Sequence, residues 1–242
     1  MPDRPFFTYT ASSLRPTYLR LIPVLAWGIL QYFLYCKLGV KVTADAAFRF
    51  LPYARDIATD FHFGMGQDIR YAGYTSILAV FLKANAPLFY LVAFQAVLSL
   101  VALVLIQRIV ETLTNSHLCA FVAALLVATC QDIQQWNYYV LTESVFTSAM
   151  VFCFAVLILC KNRILQLLSL PLWLFTSMIR PNGFIMIAAA LLYFFQLYYP
   201  KMPASTRRKM WYAAGASFVL LLALINQLLG LSPSLKRMRA EK

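Results

Sequence analysis

The chain alternates long apolar runs with short polar connections. The first apolar run is Leu19 to Cys36, followed by a long mixed stretch, Lys37 to Ala86. Further apolar runs are Pro87 to Ile109, Leu118 to Cys130, Ser144 to Cys160, Ile164 to Ile179, Phe184 to Tyr199 and Trp211 to Leu231. A helix crossing a bilayer needs about 20 mostly apolar residues. The pattern predicts an all-α polytopic membrane protein with about seven transmembrane helices. A membrane barrel would show alternating strands of about ten residues, whereas these runs are continuous. No repeat of fixed period and no low-complexity linker interrupts them, so residues 1–242 are expected to form one domain.

The mixed stretch contains "TADAAFRFLPYARDIATD", Thr43 to Asp60. Wound as a helix, it sets Asp45, Arg49, Asp56 and Asp60 on one stripe, with Tyr53 beside it. Ala47, Phe50, Ala54, Ile57 and Phe61 fall on the other. That spacing predicts an amphipathic juxtamembrane helix inside a long first outer loop, about 37–86. Pro52 disfavours helical geometry at Leu51, so a start or a kink is expected there. On periodicity alone, a solvated interfacial helix without a catalytic role is the simpler reading. Gly64, Gly66 and Gly73 then permit turns, and "GYTSILAVF" resumes a helical pattern.

Charge orients the segments. Arg4, Arg15 and Arg20 precede the first run, Arg108 closes the second, and "CKNR" and "PKMPASTRRKM" fill two later connections. If every run crosses, these lie on one side, which the positive-inside rule makes the cytoplasm. The expected location is the plasma membrane, multi-pass, with the N-terminus cytoplasmic. The basic tail "SLKRMRAEK" falls on the other side and disagrees with the rule. Asp45, Asp56, Asp60, Asp68, Asp132 and Glu143 gather on the outer side, as the longest loop alone would largely ensure.

Composition agrees with a bilayer. The 242 residues are 62% hydrophobic and only 12% charged, against about a quarter in soluble domains. Mean hydropathy is +0.70. A net charge of +12 would suggest nucleic acid in a soluble protein. Here the basic residues sit in loops and tails, where they meet lipid headgroups, so no nucleic-acid partner is expected. The five cysteines form no CxxC pair and read as small core residues. His62 and His117 share no metal-ligand spacing, so no metal site and no cofactor are expected. The sequence neither demands nor forbids a divalent metal. No cleaved signal peptide is expected at the N-terminus, and the first run serves as its own insertion signal.

Two later stretches carry candidate chemistry. In "QQWNYYVLTESVF", Glu143 stands at the mouth of an apolar run. A carboxylate there suits the helix dipole, with Thr142 as N-cap, but ionisable residues at membrane depth also mark sites. Trp136, Tyr138 and Tyr139 suit an interfacial aromatic belt, the better reading, and also a sugar-stacking platform. In "SMIRPNGF", Pro181 and Gly183 account for a turn. Arg180 either snorkels to headgroups or grips a phosphate.

Together these stretches resemble the GT-C class of membrane glycosyltransferases, in particular the family of protein mannosyltransferases and the lipid A aminoarabinose transferase. "RFLPYARDI" is similar to the family's Arg-Tyr-x-x-x-Ala-Arg-acid-apolar run in the first outer loop. "YAGYTSIL" resembles its Pro-x-Gly-Tyr-Pro helix entry, with Ala72 and Thr75 in place of prolines. "YVLTESVF" is similar to its Thr/Ser-Glu-x-x-Phe, and "IRPNGF" to its Arg-Pro-x-Gly turn. The resemblance covers roughly Leu19 to Leu231, and the motifs keep the family's order.

The resemblance implies a short member of that family. It would take a polyprenyl-phosphate sugar as donor and a lipid or glycan acceptor, and would contact membrane lipids. It implies Asp45 as the catalytic carboxylate, four residues before Arg49 where the aminoarabinose transferase has three. It implies Arg49, Tyr74, Tyr139, Glu143 and Arg180 as substrate-binding residues, with the arginines meeting the leaving phosphate. The alternative is a non-catalytic relative that binds a lipid-linked glycan or serves as a membrane-complex subunit. A small transporter fits less well, because no pair of interrupted spans carries a midplane charge. The orientation predicts that Glu143→Cys and Lys201→Cys react with an impermeant thiol reagent from opposite sides of the membrane. Labelling of both from one side would refute it.

Overall fold

Helices build almost everything that can be described in a computed structural model of the chain. Described are residues 16–61 and 68–198, with 203, 205 and 212 besides. The chain divides into two compact units, Met1–Ala188 and Ala189–Lys242. The first contains α1 (Pro16–Leu38), a π-helical turn (Ala46–Phe50), α2 (Leu51–Asp60), α3 (Ala72–Lys83) and α4 (Leu88–Thr114). Next come α5 (His117–Thr129), α6 (Gln131–Gln134), α7 (Thr142–Leu159), α8 (Arg163–Leu168) and α9 (Leu170–Ile179). α10 (Phe184–Tyr198) begins in the first unit and ends in the second. No strand occurs among the described residues; Lys41 and Tyr139 form an isolated parallel bridge.

Among the described residues, three helices are long and apolar enough to cross a membrane: Thr17–Leu38, Leu88–Thr114 and Thr142–Leu159. A fourth arises if His117–Thr129 and Gln131–Tyr138, bent by 60°, make one span. The expectation of about seven spans is therefore corrected among the described residues. The run from Ile164 breaks at Ser169, ahead of Pro171, which lacks the N–H that would continue the ladder. The ten residues of α9 rise about 15 Å, half the hydrocarbon thickness of roughly 30 Å. Of α10, 15 residues fall among the described ones, fewer than the about 20 that a span needs. The run Trp211 to Leu231 lies outside the described residues.

Ion pairs and bridges order the helix ends. Arg20 of α1 donates to Glu111 of α4 at 2.8 Å, and His117 of α5 meets the same carboxylate at 3.0 Å. At the other end, Lys41 donates its backbone N–H to Tyr138 O, and Val140 donates to Lys41 O, both at 2.9 Å. The start of α1, the end of α4 and the start of α5 thus share one end. The exits of α1 and of the Gln131–Tyr138 segment share the other.

Inside the bundle, lipid-like surroundings give no hydrophobic drive between helices, so close packing and hydrogen bonds hold them. α5 presents Ala120, Ala124 and Ala128, all buried, at every fourth position. This stripe of small residues lets α5 pack closely on α1 and α4. Pro23 inside α1 deprives the Leu19 carbonyl of its helical donor, and Gln107 of α4 donates to that oxygen at 2.8 Å.

The amphipathic segment forms, with a change of register. Thr43 accepts from the Ala46 N–H at 3.2 Å and so caps the helix start. Pro52 would collide with the carbonyl of Phe48 in a regular helix. Instead the backbone widens into the π turn, where Leu51 N–H donates to Ala46 O. The extra residue rotates the upstream face. Ala46, Phe50, Ala54 and Ile57 are buried, but Ala47, expected to face inward, is exposed. Phe61, also expected inward, lies past the helix end in a left-handed conformation and is 73% exposed.

The alanine stripe makes a prediction. Ala124→Leu forces a larger side chain into a closed helix contact, costing about 1–3 kcal/mol. Its unfolding midpoint in detergent should fall, whereas Leu126→Ala, at a 66% exposed position, should leave the midpoint near that of the parent. Equal midpoints for parent and Ala124→Leu would show that the stripe is not tightly packed.

Candidate functional site

Pro181 sets the backbone that aims Arg180. A residue before proline avoids helical geometry, so α9 stops at Ile179 and Arg180 is extended at φ −146° and ψ 145°. Pro181–Gly183 then forms a single 3-10 turn, with Gly183 N–H donating to Arg180 O at 2.8 Å. A Cβ on Gly183 would lie 2.5 Å from the Ser177 backbone, so only glycine fits without a shift. The extended Arg180 reaches Glu143, with Nη2 3.1 Å from Oε1. Both are partly exposed, which limits the pair's direct contribution to stability. Thr142, expected as N-cap of α7, is instead its first helical residue; Leu141 holds the cap position without a side-chain bond. Thr142 Oγ1 donates to Glu143 Oε2 at 3.2 Å and so steadies the same carboxylate.

Tyr74 packs beside this pair. It is fully buried, with the Phe50 ring 5.6 Å away and Gln95 Oε1 within 3.5 Å of its hydroxyl. Burial pushes its phenol pKa far up, and the nearby Glu143 carboxylate adds to the shift. Tyr74 therefore stays neutral and acts as a donor. Gly73 brings α3 against the end of α9: a Cβ there would meet Ile179 N and Met178 C at 3.0 Å.

A cavity of about 290 Å³ opens beside the ion pair. Asp132, Trp136, Asn137, Ser148, Glu143 and Arg180 are among its walls. Its floor is a buried amide network. Gln134 Oε1 receives Gln31 Nε2 at 2.9 Å, Trp27 Nε1 at 3.0 Å, Ser99 Oγ at 3.1 Å and Asn137 Nδ2 at 3.3 Å. One carbonyl oxygen has two lone pairs, so these donors share it. Gln134 Nε2 donates to Val127 O at 2.9 Å, closing the bend after α5. Gln95 Nε2 donates to the carbonyls of Asn137 and Tyr139 at 2.9 and 3.0 Å. Ser144 Oγ donates to Asn137 Oδ1 at 2.5 Å.

The expected site residues divide. Glu143 and Arg180 meet in the cavity wall, and Tyr74 lies close to Glu143. Tyr139 stands outside the wall, its ring 5.5 Å from that of Trp136, which is in it. Tyr138 leaves the expected aromatic belt: it is buried, and its hydroxyl donates to Gln31 O at 2.6 Å. Asp45 and Arg49 do not line the cavity. Asp45 is exposed in the first turn of its helix, where the dipole favours a carboxylate. The Arg49 guanidinium lies 4.8 Å from the Tyr71 ring centre. No group of three or more His, Cys, Asp or Glu able to hold a metal occurs among the described residues.

Sequence reasoning missed Asp132, Gln134, Asn137 and Gln95 as parts of the site. A signal existed: Gln31, Gln95 and Gln107 are isolated amides inside apolar runs, and such groups seek partners within a bundle. Comparison with protein-family profiles, with characterised proteins and with solved structures finds no match to this chain.

The close approach at Gly73 is testable. In a helix, alanine is favoured over glycine by about 1 kcal/mol. The added methyl here meets backbone rather than a movable side chain, and such overpacking costs about 1–3 kcal/mol. Gly73→Ala should therefore lower the unfolding midpoint; a raised midpoint would show that propensity outweighs the contact.

Proposed function

We propose that the chain transfers a sugar from a polyprenyl-phosphate donor to a lipid or glycan acceptor at the outer face of the plasma membrane. One observation supports this above the rest: the four motif-bearing segments, remote in sequence, pack as one unit. Phe50 touches Tyr71 and Tyr74. Gly73 abuts Ile179, Tyr74 lies near Glu143, and Glu143 pairs with Arg180. Such convergence is what a shared substrate site requires.

In the proposed reaction the acceptor hydroxyl oxygen attacks the anomeric carbon of the donor. The bond from that carbon to the phosphate oxygen breaks, and the lipid phosphate leaves with the electron pair. Asp45 takes the hydroxyl proton as general base. Arg49 supplies positive charge beside the leaving phosphate. Arg180 is already engaged by Glu143, so these two orient the sugar by hydrogen bonds rather than neutralise the phosphate.

A second reading, a non-catalytic relative that binds a lipid-linked glycan, is favoured by one observation: Asp45 stands outside the cavity wall. The two part on one experiment. The full chain in nanodiscs is given polyprenyl-phosphate sugars and a glycan or lipid acceptor. Transfer is expected, and Asp45→Asn should lower its rate by about 10²–10⁴-fold with folding unchanged. Undiminished transfer in that variant would remove Asp45 as base. Binding without transfer by the parent, across the donor series, would establish the second reading.

A further inference from the structure

We infer that the cavity between Gln131–Tyr138 and α7 is a subsite for an uncharged, hydroxyl-rich sugar unit. Asp132 is its recognising carboxylate and Trp136 its platform, and the lipid phosphate is held elsewhere. The inference rests on the proposed glycan chemistry of this site but not on the transfer step.

Charge decides the sign of the cavity. Its ionisable walls are Asp132, Glu143 and Arg180. Arg180 is matched by Glu143 at 3.1 Å, and Thr142 donates to the same carboxylate. Asp132 has no hydrogen-bond or ion-pair partner among the described residues, so the cavity keeps one negative charge. A phosphate entering it would meet that charge at short range and displace a formed ion pair. A sugar hydroxyl would instead donate to Asp132, a charge-assisted bond stronger than a neutral one.

The remaining walls suit the same ligand. Trp136 is partly exposed and lines the cavity, its ring steadied by Tyr139 at 5.5 Å. The negative face of an indole attracts the C–H face of a pyranose, while its apolar body excludes water. The polar floor is largely spoken for: Ser99 donates to Gln134, Asn137 accepts from Ser144, and Thr147 donates to the Glu143 carbonyl. Specificity therefore falls to Asp132 and to Arg180, which lines the cavity and is partly exposed. A volume of about 290 Å³ is at the small end of ligand pockets, which suits a single sugar unit rather than a long chain.

The test uses the full chain in nanodiscs of neutral lipid and equilibrium binding followed by saturation-transfer NMR. The probes are a neutral methyl hexoside, the matching methyl hexuronide with its one carboxylate, and inorganic phosphate. The parent should bind the neutral glycoside at least about tenfold more tightly than the uronide, with no competition from phosphate. Asp132→Asn should weaken neutral binding about tenfold and narrow the discrimination, and Asp132→Glu should restore both. Asp132→Lys should reverse the preference towards the uronide, an outcome that loss of folding does not produce. Trp136→Ala should abolish neutral binding. Competition by phosphate in the parent, or unchanged affinity and discrimination in Asp132→Asn, would overturn the subsite. Sugar transfer persisting beside that second result would leave the transferase reading standing. Glycoside binding with the predicted Asp132 dependence, but without transfer, would uphold the subsite and refute the transferase.

Discussion

Everything at the Glu143 end of the bundle depends on how the bend after α5 satisfies the polar groups it brings among the helices. After Thr129 the chain leaves α5, turns by 60° and runs through Gln131–Tyr138, of which Gln134, Asn137 and Tyr138 are buried. Non-helical backbone is tolerated among membrane helices only where protein or a polar cavity meets its N–H and C=O groups. Gln134 meets that demand from within the bend, bonding to Val127 O behind it and collecting Trp27, Gln31 and Ser99 from α1 and α4. Gln95 meets it from α4, through the carbonyls of Asn137 and Tyr139. Interhelical hydrogen bonds of this kind contribute on average about 0.6 kcal/mol each, so their number and convergence matter more than any single bond.

The same bonds shape the cavity. Gln134 and Asn137 line it together with Asp132 and Trp136, and Glu143 and Ser148 of α7 line it as well. The hydrogen bond from Ser144 to Asn137 joins α7 to the Gln131–Tyr138 segment. The exit of the bend then pairs Val140 with Lys41, which ties the start of the first loop to the same end. A polar network that looks like packing in the bundle interior thus sets the spacing of the cavity walls.

Proline has a second, separate influence on that end. Pro181 forces Arg180 out of helical geometry and towards Glu143. Pro52 forces the π turn that chooses Ala46 over Ala47 as the inward residue and leaves Phe50 against Tyr74. Pro23 frees a carbonyl that Gln107 then takes, joining α1 to α4. Pro23 and Pro52 each remove a backbone donor, Pro181 restricts the residue before it, and each creates a local geometry that a regular helix would not offer.

By itself the sequence determined the helical class, the existence of long apolar helices, the amphipathic segment and the Pro181–Gly183 turn. These follow from periodicity and from backbone chemistry within a few residues, which any stretch carries with it. Glu143 and Arg180 were legible as unusual for the same reason, being charges beside apolar runs. Only the tertiary structure decided that they pair, that Trp136 faces a cavity while Tyr138 is buried, and that Asp45 stands off the cavity wall. It also decided how many apolar runs are long enough to span, because the break before Pro171 divides a run that composition joins. The reason is physical: hydropathy records what a residue avoids, whereas the partner of a buried amide or carboxylate is set by which distant helix the fold brings within about 3 Å.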